Sequence, residues 1–246
     1  NPEIYVMNAD GNNQKRLTTN EIYDLMPSFS PDGSKIVYVS ERDGNPEIYV
    51  MNADGTNPIR LTNTPSYEYS PSWSPDGSKI LFVSNREVDK PIEGQTGILK
   101  ITYKIFTMKA DGTEQVKISE NTNDDESPRY SPDGSKVVFV SKRDGNAEIY
   151  SMKADGTEIK RLTNNSNYDI MPAWSPDGKS IVFRTEIKGN PEIYVMNEDG
   201  SKPIKLTTNL VAGESPFFSF DGSKIVFVSK RDNVLNEDEI QTNEIY

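Results

Sequence analysis

Three observations predict an all-β fold made of repeated four-stranded antiparallel sheets, a β-propeller. The first is a Ser-Pro-Asp-Gly turn that recurs at Ser30, Ser74, Ser131 and Ser175, with a variant at Ser219-Phe220-Asp221-Gly222. Its glycines stand at 33, 77, 134, 178 and 222, so their spacings are 44, 57, 44 and 44 residues. The second is a Leu-Thr pair that follows the same series at Leu17, Leu61, Leu162 and Leu206, with Ile118-Ser119 as its variant. The third is punctuation: Gly or Pro interrupts the chain every few residues, and no helical periodicity occurs anywhere. A period near 44 holding four short strands is the signature of a propeller blade. A β-helix would repeat over a much shorter length, and a sandwich would not repeat so regularly.

The elements follow in order. Residues 3–7, Glu-Ile-Tyr-Val-Met, are rich in β-branched and aromatic side chains and predict a strand. Asp10-Gly11 is a turn signal, and Lys15 to Thr18 is a short second strand. A loop then runs to Pro27, and Ser28 to Ser30 is a short third strand. Pro31-Asp32-Gly33 suits a type I turn, with Pro at its second position and Gly at its fourth. Lys35 to Ser40, KIVYVS, is the fourth strand and almost continuously apolar, as a strand covered on both faces should be. Glu41 to Asn45 forms a turn, and the pattern restarts at Glu47.

We name the strands A (before Pro-Asp-Gly), B (KIVYVS), C (EIYVMN) and D (IRLT). Strands A, B and D each occur five times and C six times. With two insertions set aside, about 87–104 and 232–243, the length matches five periods. The expectation is therefore a single domain over 1–246 with five four-stranded blades. No single repeat could bury its own apolar face. The last blade would be closed by pairing N-terminal strands (3–18) with C-terminal strands (216–229), which removes open sheet edges. The sixth C strand, Glu244-Ile245-Tyr246, then has no place in the ring. The alternative is part of a six-bladed propeller. The chain begins inside a motif, as a mature or excised segment would.

Composition narrows the function classes. There are 38 acidic against 27 basic residues, a net charge of -11. That disfavours a nucleic-acid or anionic-membrane partner and leaves cationic partners open. No apolar run is long enough for a membrane-spanning helix, so no membrane insertion is expected. The chain has no cysteine and no histidine. Ser-His-Asp and Cys-His catalysis and a His-ligated metal site are therefore impossible. Paired carboxylates remain, but the acids repeat from blade to blade, and no pair is singled out.

The run Asn-Pro-Glu-Ile-Tyr-Val-Met-Asn-Ala-Asp-Gly, then Leu-Thr, then Pro-x-(Trp/Phe/Tyr)-Ser-Pro-Asp-Gly, resembles the TolB-type propeller repeat. The likeness covers nearly the whole chain. It implies a propeller, a periplasmic or extracellular location and a protein or peptide partner. The family pattern also implies six blades and a preceding α/β domain, whereas five repeats are visible here. Related repeats occur in propellers attached to prolyl-oligopeptidase-like enzymes. The function expected is a non-catalytic protein- or ligand-binding scaffold with no cofactor. The alternatives are a substrate-gating propeller of a larger enzyme and a structural module of a secreted assembly.

Candidate sites follow from topology. A–B and C–D turns share one face, while B–C and D–A loops share the other. Both insertions fall in B–C loops, so variation concentrates on that second face. In the D–A loops an acid stands three residues before the strand A proline: Asp24, Glu68, Asp125 and Asp169, with Glu214 shifted by one. Tyr23, Tyr67 and Tyr168 precede three of these acids. Strand A is innermost, so these side chains are expected around the mouth of a central channel, where they could seat a cationic or polar ligand. Arg42, Arg86, Arg143 and Arg231 end the B strands on the same face and predict structural inter-blade ion pairs with these acids. Both readings stay open, since a paired carboxylate can still face a channel. In one repeat Ile187 stands where the others have the Arg, and Arg184 lies three residues earlier, so one acid should lack a partner. Asp43-x-Asn45-x-Glu47 and Asp144-x-Asn146-x-Glu148 space oxygens as a calcium loop could, but match only part of that pattern. Phe29, Trp73, Tyr130, Trp174 and Phe218 in strand A are expected to pack blade against blade.

Overall fold

The computed structural model describes residues 1–86, 101–207, 214–229 and 244–245. Arg231 and most of both insertions lie outside the described residues. Among the described residues every regular element is a strand, and neighbouring strands within a sheet are consecutive in the chain and antiparallel. β1 (Tyr5–Val6) pairs with β2 (Lys15–Arg16). Next come the four-stranded sheets β3 (Asp24–Phe29), β4 (Lys35–Ser40), β5 (Glu47–Asn52), β6 (Ile59–Arg60), and β7 (Glu68–Trp73), β8 (Lys79–Ser84), β9 (Lys104–Lys109), β10 (Val116–Lys117). Two further four-stranded sheets follow: β11 (Asp125–Tyr130), β12 (Lys136–Ser141), β13 (Glu148–Lys153), β14 (Lys160–Arg161), and β15 (Tyr168–Trp174), β16 (Ser180–Ile187), β17 (Asn190–Asn197), β18 (Ile204–Lys205). β19 (Glu214–Phe218), β20 (Ile225–Ser229) and β21 (Glu244–Ile245) form a last sheet of three. The five A, B and D strands and six C strands of the sequence are all present. Two compact units, 1–128 and 129–246, carry these sheets.

Pairing along β20 departs from the expectation. Val228 and Ser229 face Ile245 and Glu244, so the short C-terminal copy takes the edge expected for residues 3–7. Chain connectivity gives a reason. Closing the 14-residue span 230–243 costs less entropy than joining ends some 200 residues apart, by roughly 2 kcal/mol.

Strand B is buried on both faces, as its sequence predicts. In β4 only Lys35 is exposed, and alternate residues serve different neighbours. Val37 and Val39 join Ile48 and Val50 to meet Trp73, Ile80, Phe82, Phe106 and Met108 of the next sheet. Ile36 and Tyr38 face the other way, toward Ile4. The same layering recurs in the second unit, where Val138, Val140 and Ile149 meet Trp174, Ile181, Phe183 and Met196. Burying one such aromatic contributes about 2–3 kcal/mol.

Strand A differs from its predicted bounds. It begins at Asp24 rather than Ser28, because the proline inside it is accommodated by a bulge. The ladder shifts between Leu25 and Ser28, and Met26 takes φ 53°. Ser70, Ser127, Met171 and Ser215 adopt the same left-handed backbone, each just before a proline. Proline has no N–H to give the ladder, so a bulge is where a strand tolerates it. The strand A aromatics are not uniform. Trp73 and Trp174 are buried, and their indole N–H groups donate to Ser28 O at 3.2 Å and Arg129 O at 3.3 Å. Phe29 is instead exposed, because only the small β1–β2 sheet precedes its own.

The turns hold by their own hydrogen bonds. Gly33 N donates to Ser30 O at 2.8 Å, which closes the type I turn, and Ser30 Oγ donates to Asp32 Oδ1 at 2.6 Å. Ser34 adds further donors, so the Asp32 carboxyl is lowered to about 2. At Gly112 and Gly200 of the C–D turns glycine is required for space as well as conformation. A Cβ on Gly200, at φ +87°, would sit 2.5 Å from Leu162 O.

Candidate functional site

The D–A loops bring each acid of the repeat to the start of strand A, opposite the end of strand B. Asp24 and Ser40 are register partners, as are Glu68 and Ser84 and, in the fourth sheet, Asp169 and Thr185. The carboxylates lie beneath the surface: Asp24, Glu68, Asp125 and Asp169 are at most 1% exposed. The tyrosines beside them face solvent, with Tyr23 48%, Tyr67 46% and Tyr168 55% exposed. Side-chain alternation along the strand separates the two groups.

Arg42 and Arg86 pair within their own sheets, which corrects the inter-blade contact expected of them. Arg42 Nη2 donates to both oxygens of Asp24 at 3.3 Å, and its Nε donates to Ser40 Oγ at 2.8 Å. Its guanidinium lies over the rings of Tyr38 and Tyr49, 5.6 and 4.8 Å from their centroids. Arg86 repeats this arrangement, 3.1 Å from Glu68 Oε1 and 5.2 and 4.8 Å from the Phe82 and Phe106 rings. Arg143 also donates to Ser141 and sits 5.4 and 4.9 Å from the Phe139 and Tyr150 rings. The Arg lies two residues past the serine that faces the acid, so the side chain folds back over its own aromatic pair. Burial pushes the Glu68 carboxyl up, opposed by Arg86, Thr64 and Ser84. Asn121 donates to Asp125, and Asn20 to Asp24 at 2.5 Å. Arg231 lies outside the described residues; the backbone of Glu214 opens β19.

A second charged series runs beside the first, on the other side of strand B, and sequence reasoning missed it. The glutamate that starts strand C meets the basic residue of strand D: Arg16–Glu3 at 2.5 Å, Arg60–Glu47 at 2.8 Å, Arg161–Glu148 at 2.9 Å and Lys205–Glu192 at 2.8 Å. Its signal is the repeated Glu-Ile with Arg-Leu-Thr thirteen residues on. The same contacts engage the oxygens of the calcium-like turns. Arg60 reaches Asp43 at 3.1 Å, Tyr49 Oη donates to Asp43, and Asn45 donates to Glu47 at 3.3 Å. Asp144 and Glu148 are held in the same way by Tyr150 and Arg161.

Asp169 is the acid without its arginine. Asn165 Nδ2 donates to Oδ2 at 2.7 Å, while Oδ1 accepts no hydrogen bond. Glu47 Oε2 and Glu68 Oε2 also accept none, but an arginine compensates each of those carboxylates on the other oxygen. Burial pushes the Asp169 carboxyl up. The nearby Thr185, Asn165 and Thr163 groups oppose that rise, and the Glu148 charge adds to it.

These sheets define a β-propeller repeat protein whose blades are tied internally by carboxylate–arginine pairs. Residues 1–98, 95–183 and 166–236 match the TolB beta propeller domain, and the chain belongs to that family. It is 34% identical over 147 residues to a TolB homolog of Chlorobium luteolum, covering 60% of this chain and 30% of that protein. TolB from Acinetobacter baumannii superposes with a TM-score of 0.77 at 26% identity, over 93% of this chain and 54% of its own. The chain thus spans about half or less of the length of these relatives. Hydrazine synthase of Kuenenia stuttgartiensis, at 16% identity and TM-score 0.72, matches 95% of this chain and 38% of its own, and shows the fold alone.

Proposed function

We propose that this chain is a non-catalytic TolB-like propeller that binds a protein partner in the bacterial periplasm, through the face bearing its B–C and D–A loops. One observation carries the reading. Tyr23, Tyr67 and Tyr168 stand half-exposed on loops whose neighbouring acids are buried and hydrogen-bonded. Aromatic side chains on a rigid base are favoured anchors at protein interfaces. The lack of histidine and cysteine leaves few routes to catalysis. The acids serve this face from beneath, by holding the loops. The test is capture of partners from a periplasmic extract by the native chain, by a Tyr23→Ala/Tyr67→Ala/Tyr168→Ala variant, and by Phe220→Ala. Phe220 is 99% exposed in an A–B turn, at the opposite ends of the strands. Partners retained by Phe220→Ala and lost by the triple variant are expected; loss with Phe220→Ala alone would place binding on the other face.

A further inference from the structure

The fourth sheet keeps every part of the arginine site except the arginine. Phe183 and Tyr194 form the ring pair, 5.9 Å apart and tilted by 36°, against 5.8 Å and 37° for Tyr38 and Tyr49. Thr185 stands where Ser40 binds Arg42, and Asp169 where Asp24 does. A cavity of about 350 Å³ occupies the position of the missing side chain, lined by Asp169, Asn165, Thr163, Thr185, Phe183 and Tyr194 among others. The matching cavity beside Arg42 measures about 200 Å³.

The hairpin explains the loss. β16 and β17 run eight residues each, against six in β4 and β5, because Lys188 (φ 53°) and Gly189 (φ 81°) make a tight two-residue turn. Ile187 therefore continues the ladder, opposite Asn190. Arg184 is no substitute. It is one residue from Phe183 and from Thr185, so it projects from the other side of the sheet, and it pairs with Glu186 at 3.2 Å. Among the described residues no cation pairs with Asp169.

We propose that the Asp169 cavity receives a guanidinium group from another molecule, the arginine side chain of a protein partner. The inference rests on the scaffold reading above. A buried carboxylate with an oxygen that accepts nothing is costly and gains most from a charged donor. A flat guanidinium stacks on aromatic rings and bonds a carboxylate at once, as Arg42 and Arg86 do here, whereas an ammonium is a hydrated point charge. The net charge of -11 favours a cationic partner at long range.

N-acetyl-arginine amide is the probe, titrated against the native chain with the Phe183, Tyr194 and Asn165 resonances followed by NMR. Saturable shifts are expected, with affinity about tenfold weaker in Asp169→Asn, where charge assistance is lost. Asp24→Asn, at a site already filled, should leave the affinity unchanged. Ile187→Arg should abolish binding by supplying the group in cis. Should that variant not fold, the two Asn variants decide. Equal affinity in Asp169→Asn, equally tight N-acetyl-lysine amide, or no saturable shift would overturn the proposal. Free arginine binding about tenfold tighter than the capped form would overturn the protein source in favour of a small molecule. The titration uses the chain alone, so its failure is separate from a failure to capture a partner.

Discussion

Sheet β3–β6 carries Asp24 with Arg42, while sheet β15–β18 carries Asp169 with Ile187 in the arginine's place. Both acids are buried, both accept a hydrogen bond from an asparagine four residues earlier, and each shares its sheet with a tilted pair of rings. The contrast isolates the arginine's role. It fills a cavity, caps the ring pair and neutralises a carboxylate that the fold has already buried. Where it is missing, the carboxyl keeps its neutral hydrogen-bond donors but has no cation to offset its burial, and the space stays open.

The largest effect expected is from Arg42→Ala, which should destabilise by about 3 kcal/mol because it strands the buried Asp24. Ile187→Ala, at the equivalent position, should cost less than about 1 kcal/mol. Urea unfolding of both variants checks the contrast, and equal losses would break it. Smaller effects are expected at the acids. Asp24→Asn removes the charge that Arg42 pairs with and should cost about 2 kcal/mol at neutral pH. Asp169→Asn should cost nothing or raise the unfolding midpoint, since it removes a buried charge that has no cation. A matching loss in the two variants would show that a cation serves Asp169 after all.

The smallest effect is in pH. The folded-state pKa of Asp169 is raised above the ordinary carboxylate value, so the folded chain holds this proton more strongly than the unfolded chain. Its contribution is favourable below the unfolded value of about 4 and is lost as pH rises through the folded value. Glu148, itself paired with Arg161, adds to the rise. The native chain should therefore lose stability relative to Asp169→Asn as pH climbs from about 4 toward neutrality. Parallel pH profiles for the two proteins would contradict this.

Much of this contrast was legible in the residues. The period of 44, the four strands of each unit and the one repeat lacking an arginine are visible directly. Which acid loses its partner was not, because the sequence does not say whether an arginine reaches its own sheet or the next. The answer depends on register: Asp24 faces Ser40, and Arg42 is two residues past it. Pro27 reads as a break in the sequence and shortens the expected strand A, whereas the left-handed Met26 lets the strand begin at Asp24. Pairing and burial point to the longer copy, residues 3–7, for the edge of β20, whereas proximity along the chain favours residues 244–245. Adjacency in the sequence suggests one surface for the tyrosines and acids of the D–A loops, but strand alternation sends them to opposite environments.

The most direct test is the carboxyl pKa of Asp169, followed through its side-chain carbon by NMR as the native chain is titrated. A value above the ordinary carboxylate range, with Asp169 taking up its proton before other aspartates as pH falls, is the result expected of a buried acid without a cation. A value at or below that range would mean that a cation already compensates the carboxylate, and the open arginine site would not exist.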